Sequence, residues 1–520
     1  MPMVLPPLIE ALLNPTAYPD SPEVIELQQT HISYLFFTPH YVYKVKKPVD
    51  FGFLDFTTLE KRQFFCHQEV ILNRRLAPDV YIGVEAITQG GEEVRMGGKG
   101  KIIEYAVKMR RLPLDRMMDR LLANRGEVSE DMIKRVANVI ADFHKRATTS
   151  PYISSFGEPE IIRVNTEENF QQTKPYIRRT ITQRQWEEIG EYTGTFLKDK
   201  EGLFLKRIEE GRIKDCHGDI HSEHICITNG IYIFDCIEFN ERFRYSDIVA
   251  DIAFLTMDLD LYNRHDLSLA FQDAYEGASG DRGVKELLDF YECYRAFVRG
   301  KVEGFKLEQR EIHEEEKKKA RRKANRYFHL SHLYATGGYR PILLVFSGLT
   351  GTGKTTVAQA LSRETMMDVI SSDVVRKGLA GIPVTEHRFE GFEEGIYIGA
   401  FTERTYNEMI NRAEGILKTG RSVILDATFS KRIYRQRAME LARRLGAGFH
   451  LIWCVCPEDV IRERLERRLT EGGVPSAGRW EVYLKQKEGF EGIDEAPWSQ
   501  LDTSGDIKAL VDGLLEKVFG

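Results

Sequence analysis

The chain has 520 residues, of which 73 are Lys or Arg and 79 are Asp or Glu, for a formal net charge of −6. This near balance excludes a dedicated nucleic-acid coat and a polybasic membrane binder, although a local basic groove is compatible with it. A hydrophobic content of 42% and a charged content of 29% are ordinary for a soluble globular protein, and the length calls for roughly two to four folding units.

The first residues, MPMVLPPLIEALLNP, show no basic segment ahead of a long apolar stretch. No run approaches the roughly 18–20 apolar residues of a membrane-spanning helix. A cytoplasmic location without membrane partners is therefore expected. Cys66, Cys216, Cys226, Cys236, Cys293, Cys454 and Cys456 are scattered and form no CxxC pair, as free thiols of a reducing compartment would be.

In chain order, apolar and aromatic runs dominate 31–45 and 79–109, with a helical segment, FCHQEVILNRRL, between them. Helical patterns follow from about 129 to 145 and again beyond 247. Residues 1–335 therefore read as an α+β unit that opens with a smaller, strand-rich lobe. The run Glu311–Lys323 (EIHEEEKKKARRK) moves from acidic to basic, which favours a solvated helix through i,i+4 pairing. The YATGGYRP stretch at 334–341 then punctuates the chain. Beyond it, residues 341–520 alternate apolar strands at 342–347, 368–371, 422–426 and 449–455 with helical segments. That alternation predicts an α/β unit with a parallel sheet covered on both faces.

The second unit carries the clearest chemistry. Gly348-Leu349-Thr350-Gly351-Thr352-Gly353-Lys354-Thr355 fits GxxxxGK[ST] between a strand and a helix that continues from Thr356. Backbone amides of such a loop turn inward around phosphates, and the helix amino end adds partial positive charge. Lys354 is expected at the β- and γ-phosphates of ATP, and the Thr355 hydroxyl at Mg²⁺. Asp426 ends a hydrophobic strand in the Walker-B position, where a carboxylate holds Mg²⁺ directly or through water. Asp373, just past the second strand, is placed to take a proton from an acceptor hydroxyl. Arg376, one helical turn on, is placed to hold an anionic substrate or to orient Asp373. Arg464 and Arg468 lie one turn apart on a helix and are placed to close over a transferring phosphoryl group.

Together the P-loop, SSDVVRK, ILDAT and the arginine helix resemble the small P-loop kinases that include gluconate kinase, chloramphenicol phosphotransferase, phage polynucleotide kinase and zeta-toxin kinases. The resemblance covers 341–520 and implies transfer of the ATP γ-phosphate to a hydroxyl, with 378–410 as an acceptor-binding insert. The acceptor itself is not encoded in these motifs.

The first unit contains Cys216-His217-Gly218-Asp219-Ile220-His221, then His224, then the apolar IYIF and Asp235. This resembles the HGDxHxxN…D pattern of aminoglycoside phosphotransferase-like kinases, which are relatives of the protein-kinase fold. The resemblance implies a two-lobed kinase-like domain with Asp219 as proton acceptor and Asp235 as a Mg²⁺ ligand. His224 stands where the family has Asn, and Mg²⁺ prefers oxygen donors. Upstream, YVYKVKK resembles the strand whose lysine contacts ATP phosphates, with Lys44 favoured over Lys46 and Glu69 as its ion-pair partner. FDCIEFNERFRYSDIVADIAFLTMDL at 234–259 extends the likeness to the form of this family fused to a C-terminal P-loop kinase, described as a bifunctional aminoglycoside phosphotransferase/ATP-binding protein.

The expectation is thus a two-module ATP- and Mg²⁺-dependent phosphotransferase acting on a small-molecule hydroxyl. A nucleotide-dependent regulator with a degenerate first half, and a polynucleotide 5′-kinase, are the alternatives.

Overall fold

The computed structural model describes residues 5–124, 126–309, 312–383, 398–471 and 480–519, apart from the side chains of 468–471. The strand-rich start of the chain forms one antiparallel sheet of six strands. These are β1 (Glu26–Gln29), β2 (Ser33–Phe37), β3 (Tyr41–Lys46), β4 (Tyr81–Gly90), β5 (Glu93–Met96) and β6 (Lys101–Arg110), in the order β1-β2-β3-β6-β4-β5. β3 is interior and buried from Val42 onward. Side chains two apart on a strand share a face, so Lys44 and Lys46 are covered together. The helix Leu59–Asn73 supplies that cover. Thr58 caps its amino end by accepting from Lys61 N at 3.3 Å, and its Glu69 is fully buried.

The rest of the first 335 residues is mainly helical. In Glu130–Arg146, residues 133, 136, 137, 140 and 141 form one buried stripe at helical spacing. The helix Ile248–Leu261 is buried at every position, its mostly apolar sequence interrupted by three aspartates and a threonine. Its buried acids all have donors: Asp251 takes the amides of His217 and Gly218, Asp258 takes Ser222, and Asp260 takes Tyr334. Two short antiparallel ladders frame the loop 216–224. They pair β7 (Ile213–Asp215) with β10 (Tyr245–Asp247), and β8 (Ile225–Ile227) with β9 (Ile231–Ile233).

The helix expected to be solvated at 311–323 is instead the beginning of Glu314–Ala335, and only its first turns face solvent. There Lys317 pairs with Glu314 at 3.1 Å and Lys318 with Glu315 at 3.3 Å. From Ala320 onward it packs against the helices Val284–Phe305 and Ile507–Phe519, and burial by these distant neighbours overrides the local charge pattern.

After the loop 336–341, five strands form a wholly parallel sheet: β11 (Ile342–Ser347), β12 (Asp368–Ser371), β13 (Val423–Asp426), β14 (Gly448–Val455) and β15 (Trp498–Asp502). Their order is β12-β13-β11-β14-β15. Apolar clusters lie on both faces. The chain order reverses at β11, so the loop leaving β11 opens into the crevice at the carboxyl ends of the strands.

The two parts meet at the opposite end of this sheet. Asn263 donates to Ser422 O at 3.0 Å and accepts from Ser422 N at 2.6 Å. Arg326 donates to Glu364 O at 2.8 Å, Arg322 pairs with Asp512, and the His329 ring meets Phe519 edge-on at 5.1 Å. A cavity of ≈ 290 Å³ lies along this seam.

Candidate functional site: a P-loop pocket and a second charged cluster

Three glycines of the loop after β11 have positive φ: Gly348 at 152°, Gly351 at 81° and Gly353 at 79°. A Cβ on Gly348 would stand 2.5 Å from Cys454 O, and one on Gly353 would stand 3.1 Å from Arg464 Nη1. Only glycine allows this tight path. The helix Lys354–Thr365 begins where the loop ends, so its amino end and the loop amides share one concavity. Lys354 Nζ donates to Leu349 O at 3.2 Å, and Thr350 N donates to Gln486 Oε1 at 2.9 Å. The Leu349 side chain packs with Ile461, Leu465 and Tyr483. Thr356 is exposed in the first helical turn.

Thr355 Oγ1 donates to Asp426 Oδ2 at 2.7 Å. Asp426 ends β13, next to β11, and is 2% exposed. Burial raises its carboxyl above the ordinary range against the pull of Lys354 and the Thr355 bond, and the charge of Asp373 adds to the rise. The hydroxyl and the carboxylate are both oxygen donors, so this pair fits Mg²⁺.

Half-buried Asp373 lies in the first turn of Ser372–Leu379, directly behind β12. Arg376 on the same helix is buried and donates to Thr402 Oγ1 at 3.1 Å on the helix Gly399–Lys418. Arg464 Nη2 donates to Thr503 O at 2.8 Å, and Thr503 Oγ1 in turn donates to Thr352 O, which ties this arginine to the P-loop wall. Arg468 belongs to the helix Glu458–Glu471, but its side chain lies outside the described residues, as does the stretch 384–397 of the expected acceptor insert. Thr503 and Gln486 escaped the sequence reading because no local pattern marks them.

The first part of the chain assembles a second cluster. Lys44 Nζ lies 2.8 Å from Glu69 Oε1 and 2.6 Å from Asp235 Oδ1. Lys46 Nζ lies 2.6 Å from Glu69 Oε2 and also contacts Glu238. Both lysines therefore share Glu69, and Lys44 is the one that reaches Asp235. Burial depresses Lys44, but Asp235 and Glu69 outweigh it and hold its ammonium well above the ordinary value. Burial likewise works against the charge on Asp235, but Lys44 and His224 keep that carboxyl below its usual range. Glu238 was missed by sequence, although the two-residue spacing of Lys44 and Lys46 signals a shared face that needs a second acid.

Asp219 follows Gly218, whose φ is 87° and whose Cβ would meet Phe243 O at 2.8 Å. His224 Nδ1 lies 3.0 Å from Asp219 O and 3.4 Å from Asp219 Oδ2, while its Nε2 lies 3.5 Å from Asp235 Oδ2. The imidazole thus stands between the two acids. With ring nitrogens facing both carboxylates, this donor set does not fit Mg²⁺.

The sequence profile of the AAA domain matches residues 343–493. The sugar kinase from Janibacter sp. is 19% identical over 34% of this chain and 93% of its own, with a TM-score of 0.26. The gluconokinase from Sinorhizobium meliloti is 19% identical over 35% of this chain and 95% of its own (TM-score 0.25). The Mycobacterium tuberculosis APS kinase CysC in complex with AMPPNP and APS is 18% identical over 34% of this chain and 97% of its own (TM-score 0.25). Two relatives that match most of the chain are Uncharacterized protein Rv2004c of Mycobacterium tuberculosis and Uncharacterized protein Mb2027c of Mycobacterium bovis. Each is 31% identical over 450 residues, which is 85% of this chain and 86% of the relative. With its P-loop AAA domain at the carboxyl end, the chain belongs to the family of these mycobacterial proteins.

Proposed function

We propose that the P-loop module transfers the γ-phosphate of ATP to a hydroxyl of a small-molecule acceptor. The observation that carries this reading is the junction of Thr355 with Asp426 at the mouth of the loop, with the charge of Asp373 close enough to raise that buried carboxyl. In this reading Lys354 and the loop amides hold the phosphates, and Thr355 and Asp426 hold Mg²⁺. Asp373 accepts the acceptor's proton, and Arg464, with Arg468, offsets charge on the phosphoryl group in flight. Arg376 braces the acceptor side through Thr402. Such chemistry needs positioning and charge neutralisation more than covalent help.

The first module is assigned, on its motifs, to the aminoglycoside phosphotransferase-like kinases, with boundaries at 1–335 and 341–520. The His224 contacts with Asp219 and Asp235 favour a second reading for that module, as a regulatory partner that performs no phosphotransfer.

The test is Mg²⁺-dependent ADP formation by the full chain, with and without pooled sugars, nucleotides, nucleotide-sugars and aminoglycosides, beside Lys354→Ala. One pool is expected to stimulate turnover, and the variant to lose most of it. Full activity in Lys354→Ala sinks the assignment. Nucleotide binding without stimulated turnover by any pool favours the regulator.

A further inference from the structure

His221, His224 and Asp219 bring one potential ligand atom each within 4.8 Å of one another, with His221 buried and the other two half-buried. Asp219 Oδ2 is the common vertex, 3.6 Å from His221 Nε2 and 3.4 Å from His224 Nδ1. The two imidazole rings lie with centroids 4.0 Å apart. For bonds of about 2.0–2.1 Å, neighbouring donors of a tetrahedral ion stand roughly 3.3–3.4 Å apart. An octahedral Mg²⁺ at the same bond length needs about 2.9 Å. Both the spacing and the nitrogen donors point away from Mg²⁺.

We propose that His221, His224 and Asp219 form a binding site for a first-row transition-metal dication of the Zn²⁺ or Co²⁺ type. The surroundings suit such an ion. Asp219 O, 3.0 Å from His224 Nδ1, offers a further oxygen. Asp235 Oδ2, 3.5 Å behind His224 Nε2, is the carboxylate that orients the ring, as metal-bound imidazoles require. His221 is 2% exposed, and because the Arg299 guanidinium can only donate, its contact with Nε2 leaves the lone pair on that nitrogen, the one that faces Asp219. The side chains of Asp219 and His224 are 25% and 16% exposed, which leaves an entry path. Arg299 Nη1 lies 3.4 Å from His221 Nε2, while its Nη2 lies 3.4 Å from Glu223. A metal at Nε2 takes the place of the Arg299 contact, and Glu223 remains as the partner of the guanidinium. Asp219 cannot accept a substrate proton while it is a ligand, so the loaded module binds its ion in place of phosphotransfer. This inference is independent of the function proposed for the P-loop module.

The test uses the full chain, nucleotide-free and stripped with a chelator, titrated with CoCl₂. Wild type is expected to develop the visible absorption of imidazole-ligated Co²⁺ at one equivalent. Zn²⁺ should abolish that signal, and Mg²⁺ at an excess on the order of 100-fold should not. Removing an outer-sphere partner of a metal ligand costs about 10–100-fold in affinity, so Asp235→Asn should weaken Co²⁺ within that range. His221→Asn and His224→Asn remove ligands and should weaken it by roughly 100-fold or more. Thermal melts of the metal-free variants confirm that each is folded. Absence of the absorption, equal displacement by Mg²⁺, or an unchanged titration in folded His221→Asn overturns the site.

Discussion

Burial raises the Asp426 carboxyl above the ordinary range, and stability and activity respond to this with opposite signs. An acid whose folded value is raised stabilises the fold fully below its unfolded value, about 3.9 for Asp, and that contribution is lost as pH rises through the folded value. At neutral pH the ionised Asp426 therefore works against the fold, whereas Mg²⁺ requires it ionised. Asp426→Asn is expected to leave the melting temperature of the nucleotide-free protein unchanged or raised at neutral pH. Mg²⁺-dependent ADP formation should fall by about 100-fold or more, since a metal's stabilisation of transferring charge is worth several kcal/mol. Mg²⁺ bound to the carboxylate favours its ionised form, so in wild type the acid limb of turnover should move to lower pH as Mg²⁺ is raised. Turnover that survives the substitution would remove Asp426 from the metal site.

At the scale of elements, the helix Ile248–Leu261 connects the two parts of the molecule. Its Asp251 and Asp258 hold the loop that carries Asp219, and just beyond its carboxyl end Asn263 takes a left-handed conformation with φ 58°. Asn263 is 4% exposed, and its amide is matched to both the N–H and the C=O of Ser422, directly before β13. Asn263→Gly preserves the backbone angle but strips these groups of their partner, so it should cost about 1–3 kcal/mol. Asn263→Ala adds left-handed strain of about 1 kcal/mol to that loss. Denaturant unfolding of both variants checks the order, and equal stability of all three proteins would show that the clamp contributes nothing.

The elements also show what was legible from sequence. The central strands β11, β13 and β14 are largely apolar, and the expected ends of β11 to β14 lie within one residue of the observed ones. β15 was not foreseen, because WSQLD is an edge strand with little apolar content. The solvated helix expected at 311–323 is exposed in its first turns, whereas the buried face that begins at Ala320 is defined by partners elsewhere in the chain. The P-loop was legible because its eight residues are contiguous. Thr503, Gln486 and Glu238 reach their sites only through tertiary packing, which leaves no local pattern to read.

For the whole molecule, the seam between the two parts carries a pH dependence of its own. His329 faces Phe519 at this seam, where burial first, and then the charges of His332 and Arg340, push its imidazole down to about 3. Arg326, on the same helix face, adds to the effect. A base whose folded value lies below its unfolded value of about 6.5 stays neutral in the fold while the unfolded chain takes up the proton. Stability is therefore complete above about pH 6.5 and drains away as pH falls toward 3, since the unfolded state binds more protons throughout that window. By pH 5 this one group should weaken the fold by about 1–2 kcal/mol. His329→Gln keeps a polar side chain of similar reach without the titration. Unfolding free energy measured against pH should fall less steeply for His329→Gln than for wild type between pH 6.5 and 5, with the curves closest at neutral pH. Parallel curves would mean that the ring opens to solvent and that other groups govern the acid sensitivity of the seam.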